Sequence, residues 1–259
     1  MKTSRPAKKI KTTTFDSLSE LVSYIRTAPV NPVFNERSEL MSTKKEDDGH
    51  FYGTHDMNEA LELLSRGWSD KSKELEDMLH TELKKRNTQA NRQKSVYDVV
   101  GGNASVPRYL QGVPTNMIRQ VRTPVKIPVK TINYNISFGW TVTPQEMVEK
   151  AVDCLSYVNQ IETQGTRVNV NVFLVSESKH ADHTLLGYEV PVKKSNERFS
   201  LAKMAFVLCH ASMLRRVLVA CLERDPDTTN GFVHGYGKPI CSKDALAKVF
   251  PGAEFFNCD

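Results

Sequence analysis

Ten basic side chains stand against a single acid, Asp98, between residues 84 and 130: Lys84, Lys85, Arg86, Arg92, Lys94, Arg108, Arg119, Arg122, Lys126 and Lys130. Lysine and arginine at this density neutralise phosphates and release their counterions, a chemistry indifferent to base sequence. Tyr97 and Tyr109 lie in the same stretch, with Tyr134 and Trp140 just beyond it. A phenol face stacks on any unpaired base, so cations interleaved with tyrosines favour single strands. The ten cations with Tyr97 and Tyr109 therefore form the candidate nucleic-acid contact set. Residues 1–15 add Lys2, Arg5, Lys8, Lys9 and Lys11 with no acid. The whole 259-residue chain carries a formal charge of only +5, so the remainder is net acidic and the basic stretches are a polarised feature. Part of the cluster has a plainer role, because cations at 84–94 would also complement the dipole of a helix ending there.

Other chemistries find little support. His180-x-x-His183 beside Asp182 offers at most three ligands, and no Cys-x-x-Cys or second histidine pair completes a metal site, so no metal is expected. No phosphate-binding glycine loop is present; Gly101-Gly102 and Gly235-x-Gly237 read as turns. No nucleophile elbow and no assignable Ser/His/Asp or Cys/His arrangement occurs, and His210 sits in an apolar run as a hydrogen-bonded core residue. The expectation is a non-enzymatic binding protein with no cofactor. Five widely spaced cysteines, Cys154, Cys209, Cys221, Cys241 and Cys258, fit reduced thiols in a cytoplasm-like compartment. Neither a leader's apolar stretch nor a membrane-length apolar run is seen, so a membrane location is not expected.

The elements that must position these residues follow from periodicity. Residues 1–14 read as a mobile basic tail, Asp16 as the cap of a short helix through Leu18, Leu21, Val22 and Ile25, and residues 29–49 as a linker or a long exposed loop. A helix capped by Thr54 or Asp56 buries Met57, Ala60, Leu61, Leu63 and Leu64 and closes at Gly67; a charged helix from Ser69 to Lys94 follows. Tyr97 to Gln120 is turn-rich, with a short helix at 106–111, and Thr123 onward starts an edge strand through Val125, Ile127 and Val129. Ile132 to Phe138 alternates as a strand, Thr143-Pro144-x-Glu146 starts a helix of about 20 residues, and Arg167 to Val175 alternates again. That is a βαβ unit with a parallel pair. Leu185 to Val192 is a third strand, Ser200 to Glu223 one long buried helix, Gly231 to Ile240 a short strand and Ser242 to Val249 a last helix. The division is residues 1–49 as tail, helix and linker, then a single α/β domain over 50–259 whose first part, 50–122, is helical and basic.

Three runs of residues carry a resemblance. Phe51-Tyr52-Gly53-Thr54 with Glu59-Ala60-Leu61-x-Leu63-Leu64-x-x-Gly67-Trp68, then Tyr97-Asp98-Val99-Val100-Gly101-Gly102 with Val106-Pro107-Arg108-Tyr109-Leu110-x-Gly112-x-Pro114-x-x-Met117, and His210-Ala211-Ser212-Met213-Leu214-Arg215-Arg216 resemble an uncharacterised family of bacteriophage-encoded proteins. Within phage proteins the chain looks most like the single-stranded-DNA-binding RNA polymerase cofactors of podoviruses that package a virion RNA polymerase. The resemblance implies a transcription or replication accessory factor in the cytoplasm of an infected bacterial host, with single-stranded DNA and a phage RNA polymerase as partners. The βαβ unit also resembles a von Willebrand factor A-type core. Asn135, Ser137 and Gly139 stand where that core carries Asp-x-Ser-x-Ser, so the sheet is a degenerate, metal-free version, and the alternative function it implies is a protein-interaction module.

Overall fold

The computed structural model describes residues 9–34, 40–46, 51–85, 95–120, 127–139, 141–177, 184–197, 200–228, 240 and 242–258. In chain order these form β1 (Ile10–Thr14), α1 (Leu18–Thr27), a 3-10 turn (Pro32–Phe34), α2 (Met57–Arg66), α3 (Ser69–Lys85), β2 (Ser95–Asp98), β3 (Asn103–Ala104), α4 (Val106–Leu110) and β4 (Met117–Gln120). Then come β5 (Val129–Asn135), α5 (Pro144–Thr163), β6 (Arg167–Glu177), β7 (Leu185–Lys193), α6 (Leu201–Cys209), a π-helical turn (Met213–Leu218), α7 (Val219–Arg224), α8 (Lys243–Val249) and β8 (Glu254–Phe256).

The fold is α/β, as expected, around a five-stranded sheet in the order β1-β7-β6-β5-β8. The βαβ unit is present. β5 and β6 pair in parallel with Ile132 opposite Val170 and Tyr134 opposite Val172, and α5 crosses between them. Its start is a full capping box: Thr143 and Glu146 each bond the other's backbone, and Pro144 fills the first turn where no N–H is needed. Because strand side chains alternate, Ile132, Tyr134, Val168, Val170, Val172 and Leu174 share one face, which α5 and α6 cover to make the main core. On the opposite face, among the described residues, α8 and Phe250 cover Phe173, Val175 and Leu185, a smaller second core.

Several expectations are corrected. Ile10–Thr14 is no tail but an edge strand paired in parallel with β7. Its Lys11 ammonium reaches Asp225 Oδ1 and Asp227 Oδ2 at 2.9 Å each, and Lys9 lies 3.7 Å from Asp227, partners more than 200 residues away that a local reading of charge cannot see. The cap of α1 is Ser17, not Asp16. The described parts of 29–49 are packed rather than linking: Phe34 and Ser42 are buried, and the Asn31 amide donates to the carbonyls of Asp225 at 2.6 Å and Thr228 at 2.8 Å. Tyr97 to Gln120 contains an antiparallel sheet, β2-β4-β3, around the short helix that was expected. β5 starts at Val129 and is internal, because β8, a three-residue strand too short to show periodicity, pairs on its far side. Gly231 to 239, most of an expected strand, and residues 86–94, the expected end of α3, lie outside the described residues.

The long helix expected over 200–223 is broken at His210, where the backbone turns extended and the axes of its two halves bend by 66°. The imidazole lies against the Trp68 edge, centroids 4.5 Å apart, and stacks on Phe206 at 5.0 Å, while its Nδ1 accepts the Ser212 N–H at 3.2 Å. Burial pushes its pKa down to about 4 from 6.5. The folded state therefore refuses a proton that the unfolded chain accepts below pH 6.5. Stability is intact above pH 6.5 and falls as pH drops toward 4, by roughly 3 kcal/mol across that window. Urea titrations at pH 7 and pH 4.5 should show the loss in the wild type and a much smaller one in His210→Gln.

Candidate nucleic-acid interface

The β2-β4-β3 sheet and α4 form a small module that joins neither hydrophobic core. Its ladder runs from Ser95 opposite Gln120 to Asp98 opposite Met117, and β3 adds Asn103 opposite Ile118. Gly101 makes the tight return between β2 and β3 possible: a Cβ there would sit 2.4 Å from the Ile118 carbonyl oxygen. α4 begins with Pro107 inside its first turn and buries none of its residues. A three-stranded sheet usually needs a packed face to persist. Here the apolar side chains face outward instead: Tyr97 is 49% exposed, Tyr109 67% and Leu110 78%, and Val99, Val100 and Val106 are exposed as well.

The structure places four of the twelve expected contacts on this module and brings two of them, Tyr97 and Arg108, into contact. The Arg108 guanidinium lies over the Tyr97 ring, 4.2 Å from its centroid, and is tied back by a 3.3 Å bond to Thr115 Oγ1; Tyr109 follows on the same helix turn. Arg119 is also on the module, but its guanidinium pairs with Asp98 at 3.2 Å. Lys130 belongs to β5 and is engaged with Glu254 and, at 3.0 Å, with the Tyr157 hydroxyl; these contacts hold its pKa above the usual lysine value. Both pairs are partly exposed, and such pairs are worth about 0–1 kcal/mol, so a phosphate can replace the carboxylate, but they cancel local charge. Lys84 and Lys85 end α3 with side chains outside the described set, and Arg86, Arg92, Lys94, Arg122 and Lys126 lie outside the described residues, as do Trp140 and the His180, Asp182, His183 group.

Connectivity adds one constraint on the basic runs. Ser95 and Gln120 are register partners, so the chain segments carrying Arg92 and Lys94 on one side and Arg122 and Lys126 on the other are both rooted at one end of the β2-β4 ladder. Sequence reading missed the exposed Val99, Val100, Val106 and Leu110, although all four stand in the turn-rich stretch where apolar residues have no periodic face to join.

The first and third of the runs carrying the phage-protein resemblance are packed against each other, whereas the second lies on the β2-β4-β3 module. Ser212 Oγ lies 2.8 Å from Thr54 Oγ1 and donates to the Tyr52 carbonyl at 2.5 Å. Gly53 has φ +79°, and a Cβ there would meet the His210 ring at 2.9 Å, so glycine is required both by conformation and by space. Arg215 lies over the Phe51 ring at 4.3 Å and donates to the Phe51 carbonyl. Arg216 is fully buried. It donates to Thr54 Oγ1 and to the carbonyls of Ser42, Lys44, Thr54 and His55 at 2.7–3.2 Å, with the Tyr52 ring 4.3 Å away. This motif clamps residues 42–44 and 51–55 of the chain.

At the position compared with the A-type metal site, Asn135 Oδ1 accepts the Ser137 N–H at 3.0 Å, and the Asn257 amide donates to the Asn135 carbonyl at 2.6 Å. Among the described residues no three His, Cys, Asp or Glu side chains converge, and no single helix is long and apolar enough to cross a membrane. No curated protein and no solved structure matches the chain. The model of a family described as a domain of unknown function, DUF7192, matches residues 3–253, from before β1 to the residue preceding β8, and the chain belongs to that family.

Proposed function

We propose that this protein is a non-enzymatic binder of single-stranded nucleic acid, most simply single-stranded DNA, that docks bases on the β2-β4-β3 module. The observation that carries the reading is the Tyr97–Arg108–Tyr109 group: two rings exposed to solvent with a guanidinium stacked on one of them. Exposed aromatics on a small antiparallel sheet accept bases by stacking, and an adjacent arginine contributes both a plane and a charge. The basic runs that continue the chain from Ser95 and Gln120 supply the phosphate contacts. In the setting implied by the phage-protein resemblance, such a factor holds unwound DNA for a phage RNA polymerase or for replication.

Fluorescence anisotropy of a labelled oligothymidylate across a salt series tests this. Binding should weaken with salt along a log–log slope steeper than about −2, the value for three neutralised phosphates on a single strand. Replacing Lys84, Lys85, Arg86, Arg92 and Lys94 by alanine should flatten it. No binding at low salt, or a slope near zero, overturns the reading. A second reading rests on the exposed Val99, Val100, Val106 and Leu110, which suit a protein partner better than a base. A module-dependent pull-down that survives nuclease treatment favours it.

A further inference from the structure

Among the described residues, the face of the main sheet opposite α5 is only half covered. Beyond the apolar end under α8, the strands present polar side chains: Thr12 and Thr14 on β1, Glu189 on β7, Asn171 on β6, Thr131 and Asn133 on β5. Asparagine is a poor strand former, yet β5 and β6 each carry an Asn-x-Asn pair, at 133 and 135 and at 169 and 171. Thr12, Thr14, Thr131, Asn133, Asn171 and Glu189 line a cleft of about 320 Å³ whose other wall is the Phe250-Pro251-Gly252-Ala253 loop between α8 and β8. That volume is at the lower end of small-molecule sites.

The hydrogen bonds within the cleft run one way. Glu189 Oε1 accepts the Asn133 amide at 2.6 Å and the Asn171 amide at 2.9 Å, and Asn171 donates again to Asn133 Oδ1 at 3.2 Å. Asn133 is completely buried, so its amide is a fixed support for the carboxylate. Among the described residues, the second carboxylate oxygen, Oε2, has a single long 3.5 Å contact, from the exposed Thr14 hydroxyl. A carboxylate has about four acceptor positions. The amide donors are therefore turned onto Glu189, and the cleft offers spare acceptor capacity and one negative charge, with no lysine, arginine or histidine among its described lining residues.

We infer that this cleft binds an organic cation, a guanidinium or primary ammonium group on a short carbon chain, with Glu189 Oε2 as its charged acceptor and the Thr14 hydroxyl as a second contact. The Val249, Phe250 and Pro251 side chains form the apolar wall for the carbon chain. The same chemistry could come from a free amine or from an arginine side chain of another protein. The site is separate from the β2-β4-β3 module and does not rest on the nucleic-acid reading.

Titration of the full-length protein with agmatine, followed by amide chemical shifts, tests the inference. Shifts should centre on Thr14, Asn133, Asn171 and Glu189, with 1,4-butanediol, the uncharged control, producing none. Glu189→Gln should weaken binding at least tenfold. Thr14→Lys, at an exposed edge position, places an ammonium beside the carboxylate and should abolish binding even if Glu189→Gln fails to fold. Acetyl-Gly-Arg-Gly-amide binding more tightly than agmatine at the same residues assigns the site to a partner's side chain; agmatine alone assigns it to a free amine. No saturable shift from either probe, equal binding by butanediol, or binding undiminished in Thr14→Lys overturns the proposal.

Discussion

Replacing Arg216 by methionine should lower the free energy of unfolding by about 3–5 kcal/mol, measured by urea denaturation at pH 7. Methionine roughly fills the space of the side chain's stem but donates nothing, so the carbonyls of Ser42, Lys44, Thr54 and His55 and the Thr54 hydroxyl lose their shared donor. Each buried acceptor left unpaired costs about 1–3 kcal/mol; those near Lys44 and His55 are partly exposed and recover water, which holds the total below the full sum. Burial pushes the guanidinium pKa down, while the Tyr52, Glu46, Asp56 and Glu59 charges push it up, and an arginine so placed stays protonated. Arg216→Lys should lose nearly as much, because one ammonium cannot span a planar fork of carbonyls. Arg215→Ala, its partly exposed neighbour, should cost about 1 kcal/mol or less. Equal effects at the two positions would mean that the clamp is not the source of the stability.

Tyr97→Ala combined with Tyr109→Ala should weaken oligothymidylate binding at least about 30-fold while leaving the urea midpoint unchanged. Base stacking on an aromatic side chain is worth about 1–3 kcal/mol per base, and two rings lost together give at least 2 kcal/mol. Neither ring belongs to a core, so the fold has little to lose from their removal. Tyr97→Phe and Tyr109→Phe should bind nearly as well as wild type, since stacking needs the ring and not the hydroxyl. Undiminished binding in the double alanine variant would place the interface elsewhere, on the basic runs alone or off the module entirely. A parallel fall in stability would show instead that the rings are structural.

Parts of this molecule were legible because their physics is local. The capping box at Thr143 and Glu146, the 20-residue α5, and the alternation of β5 and β6 each depend on residues within a few positions of one another, so periodicity and cap chemistry located them closely. The same holds for α2, which ends at Gly67 as expected. His210 shows where that kind of reading fails. The residues on both sides are apolar and helix-forming, and the approach of Gly53 and Trp68 from distant parts of the chain, with the Ser212 N–H bonded to the ring, accounts for the break there.

For the candidate interface, residue types alone determined a polarised chain: a basic, tyrosine-bearing stretch on an otherwise net acidic background. Tertiary structure decided which of those charges remain available, because an ion pair is a matter of distance in space. Lys11 meets Asp225 and Asp227, Arg119 meets Asp98, and Lys130 meets Glu254, whereas Arg108 is directed onto Tyr97. Strand pairing likewise set the Glu189 cleft, since residues 14, 133, 171 and 189 become neighbours only when four strands align in register. Sequence carries the identity of each group and the short-range rules for helix and strand. Coulomb forces and hydrogen bonds act between groups wherever the fold places them, and that placement is what composition and periodicity do not contain.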